Sequence, residues 1–153
     1  KSKVPFVKDL ADLAAKQAAD NGVIRTLLGR RCHFPLWEPK TFAYNKPLPL
    51  EEAQRTYGPP LRRAFTYKAL NKLIQGSAAD QTKQAMIECY KQGFKPMLQI
   101  HDELIFEAPE NETNKIVKII EKEMISVKDS EFHSFSIPLL VDIYIGENWG
   151  VLH

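Results

Sequence analysis

The chain has 153 residues, 44% hydrophobic and 26% charged: enough for one ordinary globular core, and too evenly mixed for wholesale disorder, a collagen repeat or a coiled coil. No apolar run approaches the roughly 18 residues that a membrane-spanning helix needs, so no membrane partner is expected. The formal net charge is only +2, yet cations gather at Arg25, Arg30, Arg31, Arg55, Arg62, Arg63, Lys68 and Lys72 while carboxylates gather after Asp102, so the first half can present a positive face.

Val7, Leu10, Ala11, Ala14 and Ala18 recur at helical spacing, and Asn21-Gly22 supplies a stop. Val23 to Leu28 then reads as a short strand closed by Gly29. Residues 30–63 hold six of the ten prolines and read as an irregular loop, either functional or a plain surface excursion. From Arg62 to Gln92 runs the longest helical candidate, with Leu70, Leu73, Ile74, Ala78, Ala85 and Met86 on one stripe. Gly76-Ser77 in its middle either kinks it or admits a second backbone.

Met97–Ile100 and Leu104–Ala108 are short apolar segments around a polar tip, the pattern of a β-hairpin. Thr113 to Val127 is a second helix, with Ile116, Ile120, Met124 and Val127 on one face. Pro138 opens Leu139–Ile145, a final strand rich in β-branched residues that Gly146 ends. This order predicts an α+β fold, an antiparallel sheet covered by helices on one side.

Cys32 and Cys89 belong to no CxxC pair, so two buried free thiols in a reducing compartment are expected rather than zinc ligands or a disulfide. The first residues lack the apolar stretch of a secretory leader, and a start other than Met points to a processed, trimmed or excerpted chain.

Three local features carry chemistry. His101-Asp102-Glu103 places three ionisable groups at the hairpin tip. Adjacent carboxylates repel unless a cation offsets them, and Mg²⁺ takes such oxygen ligands; the alternative is a solvated polar turn. Asn71 and Gln75 lie four apart on one helix face. Their amides can donate to the minor-groove acceptors that every base pair offers, or simply sit in water. Gly29-Arg30-Arg31 can meet backbone phosphates, or be an exposed basic loop.

In this order and spacing the chain closely resembles the C-terminal part of family A DNA polymerases, the bacterial DNA polymerase I and related phage group. The matching stretches are Thr26-Leu27-Leu28-Gly29-Arg30-Arg31, then Leu70-Asn71-Lys72-Leu73-Ile74-Gln75-Gly76-Ser77-Ala78-Ala79-Asp80. They continue with Leu98-Gln99-Ile100-His101-Asp102-Glu103-Leu104-Ile105-Phe106-Glu107 and the ending from Pro138 through Gly146-Glu147-Asn148-Trp149. The resemblance implies a partial palm with the end of the fingers: residues 1–63 as fingers end and connecting loop, 64–153 as the palm segment with its motif C hairpin.

The resemblance also implies roles. Asp102 is similar to the motif C aspartate that holds catalytic Mg²⁺, and Glu103 to its adjacent, secondary carboxylate. His101 resembles the histidine near the primer terminus. Asn71 and Gln75 resemble the minor-groove amides, and Arg30 and Arg31 the residues near the nucleic-acid backbone. Lys68 stands where the family often has Arg, which keeps the charge and loses the bidentate fork. The loop from Trp37 to Pro60 is longer than in cellular members, a phage-type trait.

The implied activity is templated nucleotidyl transfer to a primer 3′-hydroxyl by a two-metal mechanism. The implied partners are primer–template DNA, deoxynucleoside triphosphates, and the remainder of the polymerase or a complementary subunit. The second metal-binding aspartate and the nucleotide-gripping fingers helix have no counterpart in this sequence. The chain is therefore expected to be an excerpt or one piece of a split enzyme, inactive alone. Its hairpin edge is expected to be open, a route to self-association. The expected location is the cytoplasm of a bacterium or phage-infected cell, or a eukaryotic organelle. The alternatives are a non-catalytic duplex-binding fragment and, third, an unrelated Mg²⁺-dependent hydrolase.

Overall fold

The computed structural model describes residues 6–41, 43–126 and 138–151. It is an α+β chain that divides into two compact units, Lys1–Ser77 and Ala78–His153.

The first unit opens with helix α1 (Val7–Asn21), which Gly22 ends at φ +69°, its N–H donating to the Ala18 carbonyl at 3.0 Å. That left-handed φ is the conformation glycine adopts at least cost. Strands β1 (Val23–Arg25) and β2 (Arg31–His33) pair antiparallel, Ile24 facing Cys32 and Arg25 facing Arg31. The core joins Ala14 and Ala18 of α1 to Ile24, Phe34 and Ala69, with Cys32, Leu70 and Leu73 packed against it. The alanine side of α1 is buried, while Val7 and Leu10 are exposed.

Residues 30–63 are not an irregular loop. Besides β2 they form β3 (Leu36–Pro39), β4 (Leu48–Pro49), helix α2 (Leu50–Tyr57) and β5 (Leu61–Arg63). The last three strands make an antiparallel sheet in the order β4-β3-β5. The prolines mark element boundaries here: Pro39 and Pro49 close strands, and Pro59-Pro60 precede β5. Strands of two to four residues are too short for alternation to reveal them in a sequence. Helix α2 carries Glu51 and Glu52 in its first turn and Arg55 in its last, which suits its dipole.

The long helix, α3, starts at Ala69 rather than Arg62 and runs to Lys91. Arg62 and Arg63 are drawn into the ladder with β3, and Phe65 at φ +60° interrupts the chain before a 3₁₀ turn at Thr66–Lys68. The expected single stripe on α3 is also corrected. Ile74 and Ala78 are exposed; the first half of the helix buries Ala69, and the second buries Ala85 and Cys89.

In the second unit Cys89 packs with Ile116 and Ile120 of α4 (Thr113–Ile125), flanked by Phe94, Phe106 and Met124. Val127, expected on the same face, lies outside the described residues. Strands β6 (Leu98–Ile100) and β7 (Glu103–Ile105) form the expected hairpin, a two-stranded sheet among the described residues. Leu139–Ile145 is not a strand: it joins no ladder among the described residues. β-branched residues favour a strand only where a neighbouring edge takes their backbone hydrogen bonds. Both cysteines are free, Cys89 buried and Cys32 half-buried.

Candidate nucleic-acid interface

The hairpin fixes its tip tightly. Ile100 pairs with Glu103, so His101 and Asp102 alone make the turn. His101 takes φ +54°, a conformation that His, Asn and Asp adopt more readily than branched residues. Gln99 braces it, Nε2 donating to the His101 carbonyl at 3.0 Å. His101, Asp102 and Glu103 are all exposed. Two carboxylates adjacent in sequence, Asp102 in the turn and Glu103 at the start of β7, are thus open to solvent.

That pair fits Mg²⁺ in part. The ion is held by one or two protein carboxylates and completes its octahedron with water and phosphate oxygens. No group of three or more His, Cys, Asp or Glu side chains is arranged to hold a metal among the described residues.

On α3, Asn71 and Gln75 share a face and are both exposed. Lys68 and Lys72 lie at the matching helical spacing and are exposed too. Their ammonium groups lean over aromatic rings: Lys68 Nζ over Phe65 at 4.9 Å and Tyr67 at 5.7 Å, Lys72 Nζ over Phe34 at 4.6 Å. The face is therefore two amide donors flanked by two cations.

The β1–β2 turn docks on the same helix. Arg30 Nη2 donates to the Gly76 carbonyl at 2.8 Å, and Ser77 Oγ accepts from the Leu27 N–H at 3.0 Å while donating to the Leu73 carbonyl at 2.7 Å. Gly76 makes this approach feasible, since a Cβ there would lie 2.7 Å from Thr26 Cγ2. Of the two readings of Gly76-Ser77, the structure adopts the close approach. Arg30 thus has a structural bond of its own. Arg31 is exposed and sits directly opposite exposed Arg25 in the ladder, and like charges so placed repel. An anion between them relieves that cost.

Three residues have roles that the sequence reading did not assign. Arg63 donates through Nε to Ala19 O and through Nη1 to Phe34 O, both at 3.1 Å, and stacks over Trp37 at 4.5 Å. It caps a carbonyl left open in the last turn of α1. Ser77 and Arg25 act through the docking and register just described; neither signal is visible before strand pairing is known. In the second unit, burial pushes the Cys89 thiol up from 9.0 to about 11, with Glu123 and Glu88 adding to the effect.

In the first unit, the amide face with its cations and the paired arginines are groups that can meet an anion; in the second, the exposed carboxylates are groups that can meet a cation. The family model for DNA polymerase family A matches residues 1–151, and the chain belongs to that family. It is similar to a DNA-directed DNA polymerase of Pseudomonas phage M6, 34% identical over 148 residues, covering 97% of this chain and 18% of that protein. DNA polymerase I of Caldicellulosiruptor bescii is 33% identical, over 96% of this chain and 15% of its own length. Among solved structures, the POL domain of Pol1 from M. smegmatis, in complex with DNA primer-template and dNTP, superposes with a TM-score of 0.67. It is 29% identical, with 95% of this chain and 23% of that one covered. The chain thus spans under a fifth of the length of these two curated relatives.

Proposed function

We propose that this chain supplies part of the nucleotidyl-transfer centre of a DNA-directed DNA polymerase, acting on primer–template DNA and deoxynucleoside triphosphates together with the remainder of the enzyme. The observation that carries the reading is exposed Asp102 in a two-residue hairpin turn, followed by exposed Glu103 at the start of β7, in a chain of this family. Two carboxylates adjacent in sequence and open to solvent gain nothing for stability from each other.

In this reading Asp102, with Glu103 secondary, holds Mg²⁺. When bound, that ion supplies positive charge to the primer hydroxyl and the transferring phosphoryl group. His101 lies beside the primer terminus. Asn71 and Gln75 donate to the purine N3 and pyrimidine O2 acceptors common to every base pair, testing pair geometry without reading sequence. Arg31, Arg30 and Lys68 face backbone phosphates and set the register of the duplex. Residues 1–63 serve as fingers end and connection, and 64–153 as palm. The location is the cytoplasm of a bacterium or infected cell, or an organelle.

The test is templated extension by the full protein. Addition is expected to require a primer 3′-hydroxyl, the complementary nucleotide and Mg²⁺. Hydrolysis of DNA or nucleotides without a primer would instead point to the hydrolase reading. A second reading, duplex binding without turnover, is favoured by one fact: no group of three or more His, Cys, Asp or Glu side chains is arranged to hold a metal among the described residues. Salt-sensitive duplex binding with no extension, even in the presence of the complementary part of the enzyme, is its signature.

A further inference from the structure

Lys72 stands in the first turn of α3 and is exposed. It lies four residues after Lys68 and three before Gln75, so the row Lys68–Lys72 runs beside the row Asn71–Gln75. Stability does not account for a cation at this place. Like charges four apart on a helix repel, and the start of a helix disfavours positive charge. The positions three and four away from Lys72 hold Lys68, Ala69, Gln75 and Gly76, with no carboxylate among them. No ion pair to Lys72 forms among the described residues.

The ammonium nevertheless has a fixed seat. Lys72 Nζ lies 4.6 Å from the centre of the Phe34 ring. Phe34 is 2% exposed and packs with Ala14, Ala18, Ile24 and Ala69. Its backbone is tied on both sides: its N–H donates to the Gly22 carbonyl at 2.8 Å, and its carbonyl accepts from Arg63 Nη1 at 3.1 Å. A free lysine surrenders rotamer freedom when it grips an anion; one already seated on a rigid ring surrenders less. Covering the ring needs only the apolar stem of the side chain. The charge at its end is what stability leaves unexplained.

We propose that Lys72 is a strand-positioning residue: its ammonium meets one backbone phosphate on the wall of the minor groove that Asn71 and Gln75 enter. The inference rests on the duplex reading of that face. The minor groove is about 6 Å wide, with a sugar–phosphate backbone on either side. A helix that sends one row of amides into it brings the adjacent row against a wall. The phosphate contact then fixes the depth and register at which the amides reach the base edges.

The test measures binding of primer–template by the full protein, without nucleotide, across a range of salt. Lys72→Met keeps the stem over Phe34 and removes the charge. It should weaken binding several-fold and reduce the slope of log K against log salt by about one unit. The melting temperature of the free protein should be unchanged or higher. Lys72→Arg should restore both affinity and slope. A series of primer–templates, each with one neutral methylphosphonate, locates the partner. At one position the losses from Lys72→Met and from the methylphosphonate should fail to add. An unchanged slope in Lys72→Met, losses that add at every position, no rescue by Lys72→Arg, or a lowered melting temperature would overturn the proposal. Failure of primer extension with the coupling to one phosphate intact would count against the polymerase reading and leave Lys72 assigned.

Discussion

At the residue scale, single side chains here answer to opposing demands. Arg31 and Arg25 face each other across the β1–β2 ladder, which costs stability until an anion arrives. Arg31→Gln should therefore raise the denaturation midpoint of the free protein slightly, by a few tenths of a kcal/mol, on the order expected for a like-charge cross-strand pair. The same change should lower duplex affinity and reduce the slope of log K against log salt by about one unit. Chemical denaturation and a salt titration of duplex binding check both signs. Cys89 gives a second prediction. Its thiol is pushed up from 9.0 to about 11 by burial, so the folded state holds the proton more tightly than the unfolded one. The stability this contributes is complete below about pH 9 and is lost as pH rises through about 11. Urea midpoints measured across that range should fall more steeply for the parent than for Cys89→Ala. A thiol-alkylating reagent at neutral pH should label half-buried Cys32 before buried Cys89.

At the element scale, the β1–β2 turn and the first half of α3 act as one piece because Gly76 has no side chain. Gly76→Ala gains up to about 1 kcal/mol of helix propensity. It also places a Cβ 2.7 Å from Thr26 Cγ2, and overpacking of this kind costs about 1–3 kcal/mol. Thr26 is buried, so the overlap has little room to relax. The expected net result is a lower denaturant midpoint, with Arg30 and Ser77 losing their bonds to the partner element; Gly76→Ala matching or exceeding the parent would refute the docking role. Here the sequence was only half legible. Gly76 in a helical run signalled either a bend or a close approach, and nothing local chose between them. The hairpin at Leu98–Ile105 was readable because two apolar segments flank charged residues. The short strands β3, β4 and β5 were not, since each is too brief for alternation and is held by partners distant in sequence. Leu139–Ile145 failed the other way: its composition suits a strand, but composition supplies no partner edge.

At the scale of the whole molecule, the α+β class was legible from the order of elements, whereas the division inside α3 was not. The candidate residues themselves were readable as a joint pattern; periodicity alone left each of them ambiguous. What the structure adds is exposure. His101, Asp102, Glu103, Asn71 and Gln75 all reach solvent, while the neighbouring apolar positions on α4 close a small core. The two-stranded hairpin has no further strand beside it among the described residues. Two strands alone are marginal in water, so the 153-residue chain by itself is expected to self-associate, and adding the complementary part of the enzyme should dissolve those assemblies. Light scattering with and without that part checks this; a strictly monomeric chain would show that the edge is protected.

Catalysis in the proposed reading depends on the carboxylate of Asp102, and single-turnover nucleotide addition by the full protein with Asp102→Asn tests this most directly. Asparagine keeps the turn and the size of the side chain but removes the negative charge. The expected result is a loss of at least about a thousandfold in the addition rate, equivalent to roughly 4 kcal/mol, with primer–template affinity nearly unchanged. Addition at the parent rate would contradict the assignment of that turn to catalysis.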